Sequence, residues 1–408
     1  TDRELFGTAA EGDVLKFSDS RIFWFNNGSS SSYLSTTALF LDPGAWYNIV
    51  LSFDTTQSTA SDRVKLFVNG TAVAFDNNTT FPSLNYEGDI NNTEAQFIGK
   101  GHGASEFDGY LAEVILLDGT AVSDASNFGE LQNDIWVAKD YSGSYGTNGF
   151  RLEFKQSGTG TGSSSTVGAD TSGNDNHFTS SGLASTDQVL DSPTNNFSVM
   201  NSVTGKGGSL SEGNLSVAMD AGSTRTNTFG MTSGKWYWEV RIGANNFLTG
   251  LTSDPASATR MSSTGATTLF TFGDGTAATE ASPNSTKSTD SHSPSGISSG
   301  IYSFSLDVDA KICTVRYDDS IAYVFDTFTL EPPYFFAIDR INGTPTTPHN
   351  VNFGQDSRDI SSSQSDEGGI GTFEFAPPSG FLALCTSNFA DPSIDPAEDE
   401  TPDDYFNT

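Results

Sequence analysis

The feature that most constrains this chain is a two-residue rhythm: short runs in which apolar and polar side chains alternate, each cut off by turn-forming residues. Val14-Leu15-Lys16-Phe17, Val64-Lys65-Leu66-Phe67-Val68, Ile301-Tyr302-Ser303-Phe304-Ser305-Leu306-Asp307-Val308 and Ile312-Cys313-Thr314-Val315-Arg316-Tyr317 all carry it. Successive side chains of a strand point to opposite faces, so such a run buries one face and wets the other. Helices would need apolar residues every three or four positions. The only helical turn the sequence suggests lies near residues 123–129. Asn69-Gly70, set between Val64–Val68 and Thr71-Ala72-Val73-Ala74-Phe75, predicts a two-residue hairpin, since both residues tolerate positive φ. Residues 95–99 and 109–117 read as a second strand pair. The fold class that follows is all-β, with two antiparallel β-sandwich domains in tandem.

A chain of 408 residues is long enough for more than one core. Apolar residues are only 35% of it, yet 31 Phe and 12 Tyr are too many rings for a disordered chain. The 19 Lys and Arg against 51 Asp and Glu give a net charge of −32. Such a surface repels nucleic acid and anionic membranes, whose binding draws on cationic side chains. The expectation is therefore no nucleic-acid partner, and no membrane insertion, since no apolar run approaches the roughly 20 residues a spanning helix needs. Cys313 and Cys385 are too few for a disulfide framework or a zinc site, and both sit in apolar surroundings where a buried, inert thiol is expected.

Along the chain, residues 1–180 read as a first sandwich with a turn-rich extension, 181–207 as a connector, and 208–388 as a second sandwich. Residues 389–408, rich in Pro and acids, read as a linker. The start, Thr-Asp-Arg-Glu, and this end read as those of a piece of a longer protein.

These words also carry a resemblance. Trp46-Tyr47-Asn48-Ile49-Val50, Val64-Lys65-Leu66-Phe67-Val68-Asn69-Gly70 and Phe107-Asp108-Gly109-Tyr110-Leu111-Ala112-Glu113-Val114 resemble the laminin-G/concanavalin-A-like jelly roll. Gly234-Lys235-Trp236-Tyr237-Trp238-Glu239-Val240, Ser305-Leu306-Asp307-Val308-Asp309 and Val351-Asn352-Phe353-Gly354-Gln355 resemble a SPRY domain. The order of residues 136–150, 170–178, 187–197 and 377–386 is similar to that of large virion structural proteins of marine tailed bacteriophages. That resemblance implies a non-catalytic tail-fibre or appendage protein, located in the virion. Its implied partners are other virion subunits, further copies of itself as a homo-oligomer (a trimer), and a host-surface glycan or receptor. The other implied readings are a capsid component without receptor binding and a glycan-degrading enzyme.

Site residues are sought against this background. His102, His177, His292 and His349 show no metal-ligand or triad spacing. No Glu-x-Asp-x-x-Glu pattern marks a glycosidase strand, so no catalytic residue is expected. Asp170, Ser172, Asn174 and Asn176 alternate oxygen-bearing side chains in a Gly-containing loop, a pattern that could wrap a structural Ca²⁺. The favoured alternative is an Asx-rich turn bonding its own backbone. Asp89-Ile90-Asn91-Asn92-Thr93-Glu94 is a weaker loop of the same kind. No other cofactor is expected. Among aromatics, Trp46, Trp236 and Trp238 read as core, whereas Tyr141 and Tyr145, in a Gly/Ser loop, are the candidates for ligand contact. Asn27, Asn69, Asn78, Asn284 and Asn342 head sequons that this composition produces by chance.

Overall fold

The computed structural model describes residues 2–9, 12–26, 32–42, 44–101, 105–132, 135–205, 207–243, 247–256, 266–273, 283–290, 299–340, 347–356, 358 and 360–389. His102, His292, Asn27, Asn342 and the acidic stretch beyond Phe389 lie outside them. The chain is all-β and divides into two units, at Ser185 and Thr186.

The first unit contains β1 (Arg3–Thr8), β2 (Asp13–Ser18), β3 (Arg21–Asn26), β4 (Ser32–Ser35), β5 (Ile49–Phe53), β6 (Val64–Val68), β7 (Thr71–Ala72), β8 (Gln96–Ile98), β9 (Val114–Leu116), β10 (Gly129–Gln132), β11 (Ile135–Ala138) and β12 (Phe150–Leu152). A five-stranded sheet of order β4-β3-β2-β1-β8 faces a three-stranded sheet β5-β6-β7. Their alternating residues meet between them: Ile22, Trp24 and Leu34 from one, Val64, Leu66 and Val68 from the other, all buried. The opposite face of β5 and β6, with Val50 and Phe67, is covered by Ala125, Val122, Phe128 and Trp136. The hairpin forms at Asn69-Gly70 as expected, both residues at positive φ (47° and 76°), although β7 is only two residues long. Gly70 is also needed for space, because a Cβ there would come within 2.2 Å of the Trp136 ring.

Three expectations change. Residues 95–99 and 109–117 do not pair with each other: β8 joins β1, and β9 pairs with β12. Alternation specifies a face but not a partner. Residues 123–129 make a turn, closed by the Phe128 N–H donating to the Ala125 carbonyl at 2.9 Å, and no helix. Trp46 lies ahead of β5, half-buried and outside the core, whereas Trp236 and Trp238 are 3% and 0% exposed.

The second unit contains β13 (Ser209–Ser211), β14 (Ser216–Ala218), β15 (Thr224–Thr226), β16 (Lys235–Arg241), β17 (Phe247–Thr252), β18 (Thr268–Gly273), β19 (Thr286–Asp290), β20 (Ile301–Asp307), β21 (Ile312–Tyr317), β22 (Ser320–Asp326), β23 (Phe335–Arg340), β24 (His349–Asn352) and β25 (Leu382–Ala383). A nine-stranded sheet runs β13-β14-β24-β16-β20-β21-β22-β19, with β25 added parallel to β16. A four-stranded sheet, β15-β23-β17-β18, packs on it. Rings interlock across the gap: Phe270 stacks on Phe325 with centroids 4.0 Å apart, and Phe336 meets Trp238 at 5.5 Å. Phe197, Val199 and Met200 are buried in this unit, and the stretch 181–207, read as a connector, divides between the units at Ser185 and Thr186. The buried Glu239 carboxylate ties in the late segment, accepting the N–H groups of Glu374 and Phe375 and the Tyr237 hydroxyl, each at 2.9 Å. Cys313 and Cys385 are buried free thiols, and burial pushes both upward from the ordinary thiol pKa.

Candidate functional site

The short pair β9·β12 sets Leu116 opposite Phe150, and the Phe178 ring packs edge-on against Phe150 with centroids 4.8 Å apart. Around this apolar patch opens a cleft of about 530 Å³ in the first unit. Its polar lining comes from Asn91, Asn92 and Thr93 of one loop, from Gln96 at the start of β8, and from Asn148 and Asn176 of two other loops. Phe150 is almost fully buried, while Phe178 is half-buried. Apolar carbon beside a ring of amides and a hydroxyl is the arrangement that polar organic ligands require for both area and orientation.

Asp118 holds the loops together. Its carboxylate accepts the Asn91 side-chain amide at 2.9 Å and the Asn148 backbone N–H at 3.0 Å, and its own N–H donates to the Tyr145 carbonyl at 2.9 Å. The Asn148 N–H and then the Asn91 amide hold its carboxyl below the usual aspartate range. Asn91 reaches this position at φ 65°, a left-handed conformation that Asn adopts more readily than most residues. Gly149 is needed for close approach, since a Cβ there would lie 1.8 Å from the Tyr145 carbonyl oxygen.

The 170–176 loop braces the cleft from behind. Asp170 accepts the N–H groups of Arg151, Ser172 and Asn176 and the Ser172 hydroxyl, all at 2.9 Å. Burial pushes its carboxyl up, but these hydrogen bonds outweigh burial and leave it below the usual range. Asn174 donates its amide to the Gly146 and Gly149 carbonyls, and Asn176 donates to Thr147 and Gly149. Four N–H and O–H donors converge on the carboxylate that a cation would need and occupy both of its oxygens. The residues therefore do not fit a Ca²⁺ cage; they fit the Asx turn. Among the described residues, no three His, Cys, Asp or Glu side chains converge as a metal centre. His177 has a fixed neighbour: its Nδ1 accepts the Asp170 N–H at 2.9 Å. Asp170→Asn, which keeps one acceptor oxygen, lowers unfolding free energy by about 2 kcal/mol. Calcium at millimolar concentration leaves the melting temperature of the parent protein unchanged; a rise of several degrees would restore the cation reading.

Tyr141 and Tyr145 pack against each other and do not line the cleft. Tyr141 stacks on Phe128 with centroids 5.5 Å apart and meets Tyr145 edge-on at 5.1 Å. Its hydroxyl donates to the Ser144 carbonyl. Beside them Arg151 is paired with Glu113 and Asp140 at 2.5 Å each. What Tyr145 contributes is backbone, through the bond to Asp118. The two candidate loops, 89–94 and 170–176, are thus brought to one cleft, as lining and brace. Leu116, Gln96, Asn148, Phe150 and Phe178 were not singled out as site residues in the sequence, because they come from four separate stretches that meet only in the fold.

The concanavalin A-like lectin/glucanases superfamily matches residues 5–126 of the chain. That span includes residues 91–96 and Leu116, whereas Asn148, Phe150, Asn176 and Phe178 lie beyond it. No curated protein matches the sequence. Similar solved structures include the SPRY domain of human HERC1, at 11% identity over 39% of this chain and 98% of that one, TM-score 0.30. The TRIM65 PSpry domain is similar at 12% over 38% and 90%, TM-score 0.29, and stonustoxin at 13% over 38% and 26%, TM-score 0.28. No weight rests on likenesses at these TM-scores.

Proposed function

We propose that this chain is a non-catalytic binding protein whose first unit takes a glycan in the amide-lined cleft. The observation that carries the reading is the pairing of Leu116, Phe150 and Phe178 with the amides of Asn91, Asn92, Gln96, Asn148 and Asn176 in one cleft. The apolar patch suits the C–H face of a pyranose, and amides suit its hydroxyls. The superfamily match over residues 5–126 supports a carbohydrate- or protein-binding module. Glycoside hydrolysis needs two carboxylates flanking the bond, roughly 5 to 10 Å apart. None lines this cleft.

The setting we infer is the surface of a tailed-phage particle. There the chain, as a homo-oligomer docked to other virion subunits, recognises a host-surface glycan. The resemblance in residues 136–150, 170–178, 187–197 and 377–386 supports this setting. The test is binding of the purified chain to a glycan array and to intact host cells, with Phe178→Ala as the control. The expected result is binding that weakens about tenfold or more in the variant, worth roughly 1.4 kcal/mol, with no release of reducing sugar. Virion association without any cell or glycan binding would replace this reading with a purely structural one. Sugar release abolished by a single carboxylate substitution would replace it with a hydrolase.

A further inference from the structure

The hydrogen-bond bookkeeping of the cleft goes further than its lining, and it rests on the reading that this cleft is the glycan site. Gln96 spends both amide hydrogens on the Asp89 and Glu94 carbonyls, each at 3.0 Å. Asn176 spends both on the Thr147 and Gly149 carbonyls, at 3.3 and 3.0 Å. Asn91 and Asn92 donate to the carboxylates of Asp118 and Asp89, at 2.9 and 3.1 Å. These partners are acceptors only, so the orientation of each amide is settled by chemistry: nitrogen toward the carbonyl or carboxylate, oxygen away. The Oδ1 atoms of Asn91 and Asn176 accept no hydrogen bond among the described residues. Among the described residues no Lys or Arg lines the cleft, and two carboxylates stand directly behind its amides.

We infer that the cleft selects neutral sugars, recognised through hydroxyl groups that donate to Asn91 and Asn176, and rejects their uronic, sialylated and sulfated counterparts. A carboxylate or sulfate is an acceptor only; it needs N–H donors or a cation, and here most donors are consumed and the nearest charges are negative. Asn91 and Asn92 keep one amide hydrogen each and Asn148 keeps both, and any oxygen can accept these; only a hydroxyl can in addition donate to the free Oδ1 atoms of Asn91 and Asn176. Asn148 is the exception that makes a test possible. It is exposed, its backbone N–H is used by Asp118, and its side chain makes no hydrogen bond among the described residues.

The experiment uses the full chain on an array that pairs neutral glycans with acidic counterparts of the same backbone, such as galacto-oligosaccharides with oligogalacturonates. Wild type, Asn148→Lys and Phe178→Ala are compared, and affinities of the best pair are measured by calorimetry at two salt concentrations. The expected result is a neutral preference of about tenfold or more, affinity for the neutral sugar that changes little with salt, and a gain in acidic binding on Asn148→Lys. Replacing the critical hydroxyl by fluorine, which cannot donate, abolishes binding. Acidic sugars bound by wild type as well as or better than neutral ones, and lost on Phe178→Ala, would overturn the charge selection while leaving the cleft as the binding site. Failure of every sugar to bind, or binding untouched by Phe178→Ala, would overturn the reading of the cleft itself and the selection with it.

Discussion

Trp238→Ala lowers the stability of the second unit by about 4 kcal/mol, the size expected for emptying a large aromatic site in a packed core. Trp238 is fully buried on β16, stacked on Phe304 with centroids 5.0 Å apart and planes 6° from parallel, and tilted against Phe336 at 5.5 Å. It touches both sheets of the sandwich. Its indole nitrogen has no acceptor among the described residues, so the loss is packing and ring contact, not a hydrogen bond. Trp236, 3% exposed, donates its indole N–H to the Ser233 carbonyl at 2.7 Å and meets the Phe389 ring at a tilt, with centroids 4.9 Å apart. Calorimetric or chemical unfolding measures the difference. A loss under about 1 kcal/mol would mean that the two sheets do not share this core.

The second large effect is a loss of stability on acidification, centred on His349. This side chain is 1% exposed on β24, packs on Phe247 with centroids 5.3 Å apart, and accepts the Gly243 N–H at its Nδ1 at 3.3 Å. Burial, and then the Arg340 charge, push its pKa down from 6.5 to about 4. A depressed histidine stays neutral in the native state while the unfolded chain takes up a proton. Its contribution is therefore fully present above pH 6.5 and is lost progressively as pH falls from 6.5 to about 4. Over that window the loss is about 3 kcal/mol. His349→Asn keeps an acceptor for Gly243 and removes the slope. Glu239, whose carboxyl is raised chiefly by burial, titrates in the opposite sense, adding stability as pH falls through its native value. The difference between parent and variant isolates the histidine. Equal slopes in the two proteins would assign the acid sensitivity elsewhere.

The alternation was legible because burying one face of a strand leaves a period of two whatever the neighbouring strand is. It located β2, β6, β20 and β21 within a residue or two, and Asn69-Gly70 marked its hairpin through backbone sterics alone. Pairing was not legible at β8 and β9, since their partners, β1 and β12, are chosen by the sheet edges available after collapse. Phe197, Val199 and Met200 have too little alternation around them to announce a core, yet they fill one. The Asx turn at Asp170 could be read from composition; that it braces a cleft could not.

Local chemistry, carried by neighbouring residues, thus determined the strands, the hairpin, the all-β class and the net charge of −32. The cleft was decided only by tertiary structure. Its walls come from residues 91–96, 116, 148–150 and 176–178, which share no pattern until β9 pairs with β12 and Asp118 ties two loops together. For Asn91 and Asn176, which amide hydrogens are spent and which oxygens remain depends on contacts 27 to 29 residues away along the sequence, and those contacts exist only in the folded chain.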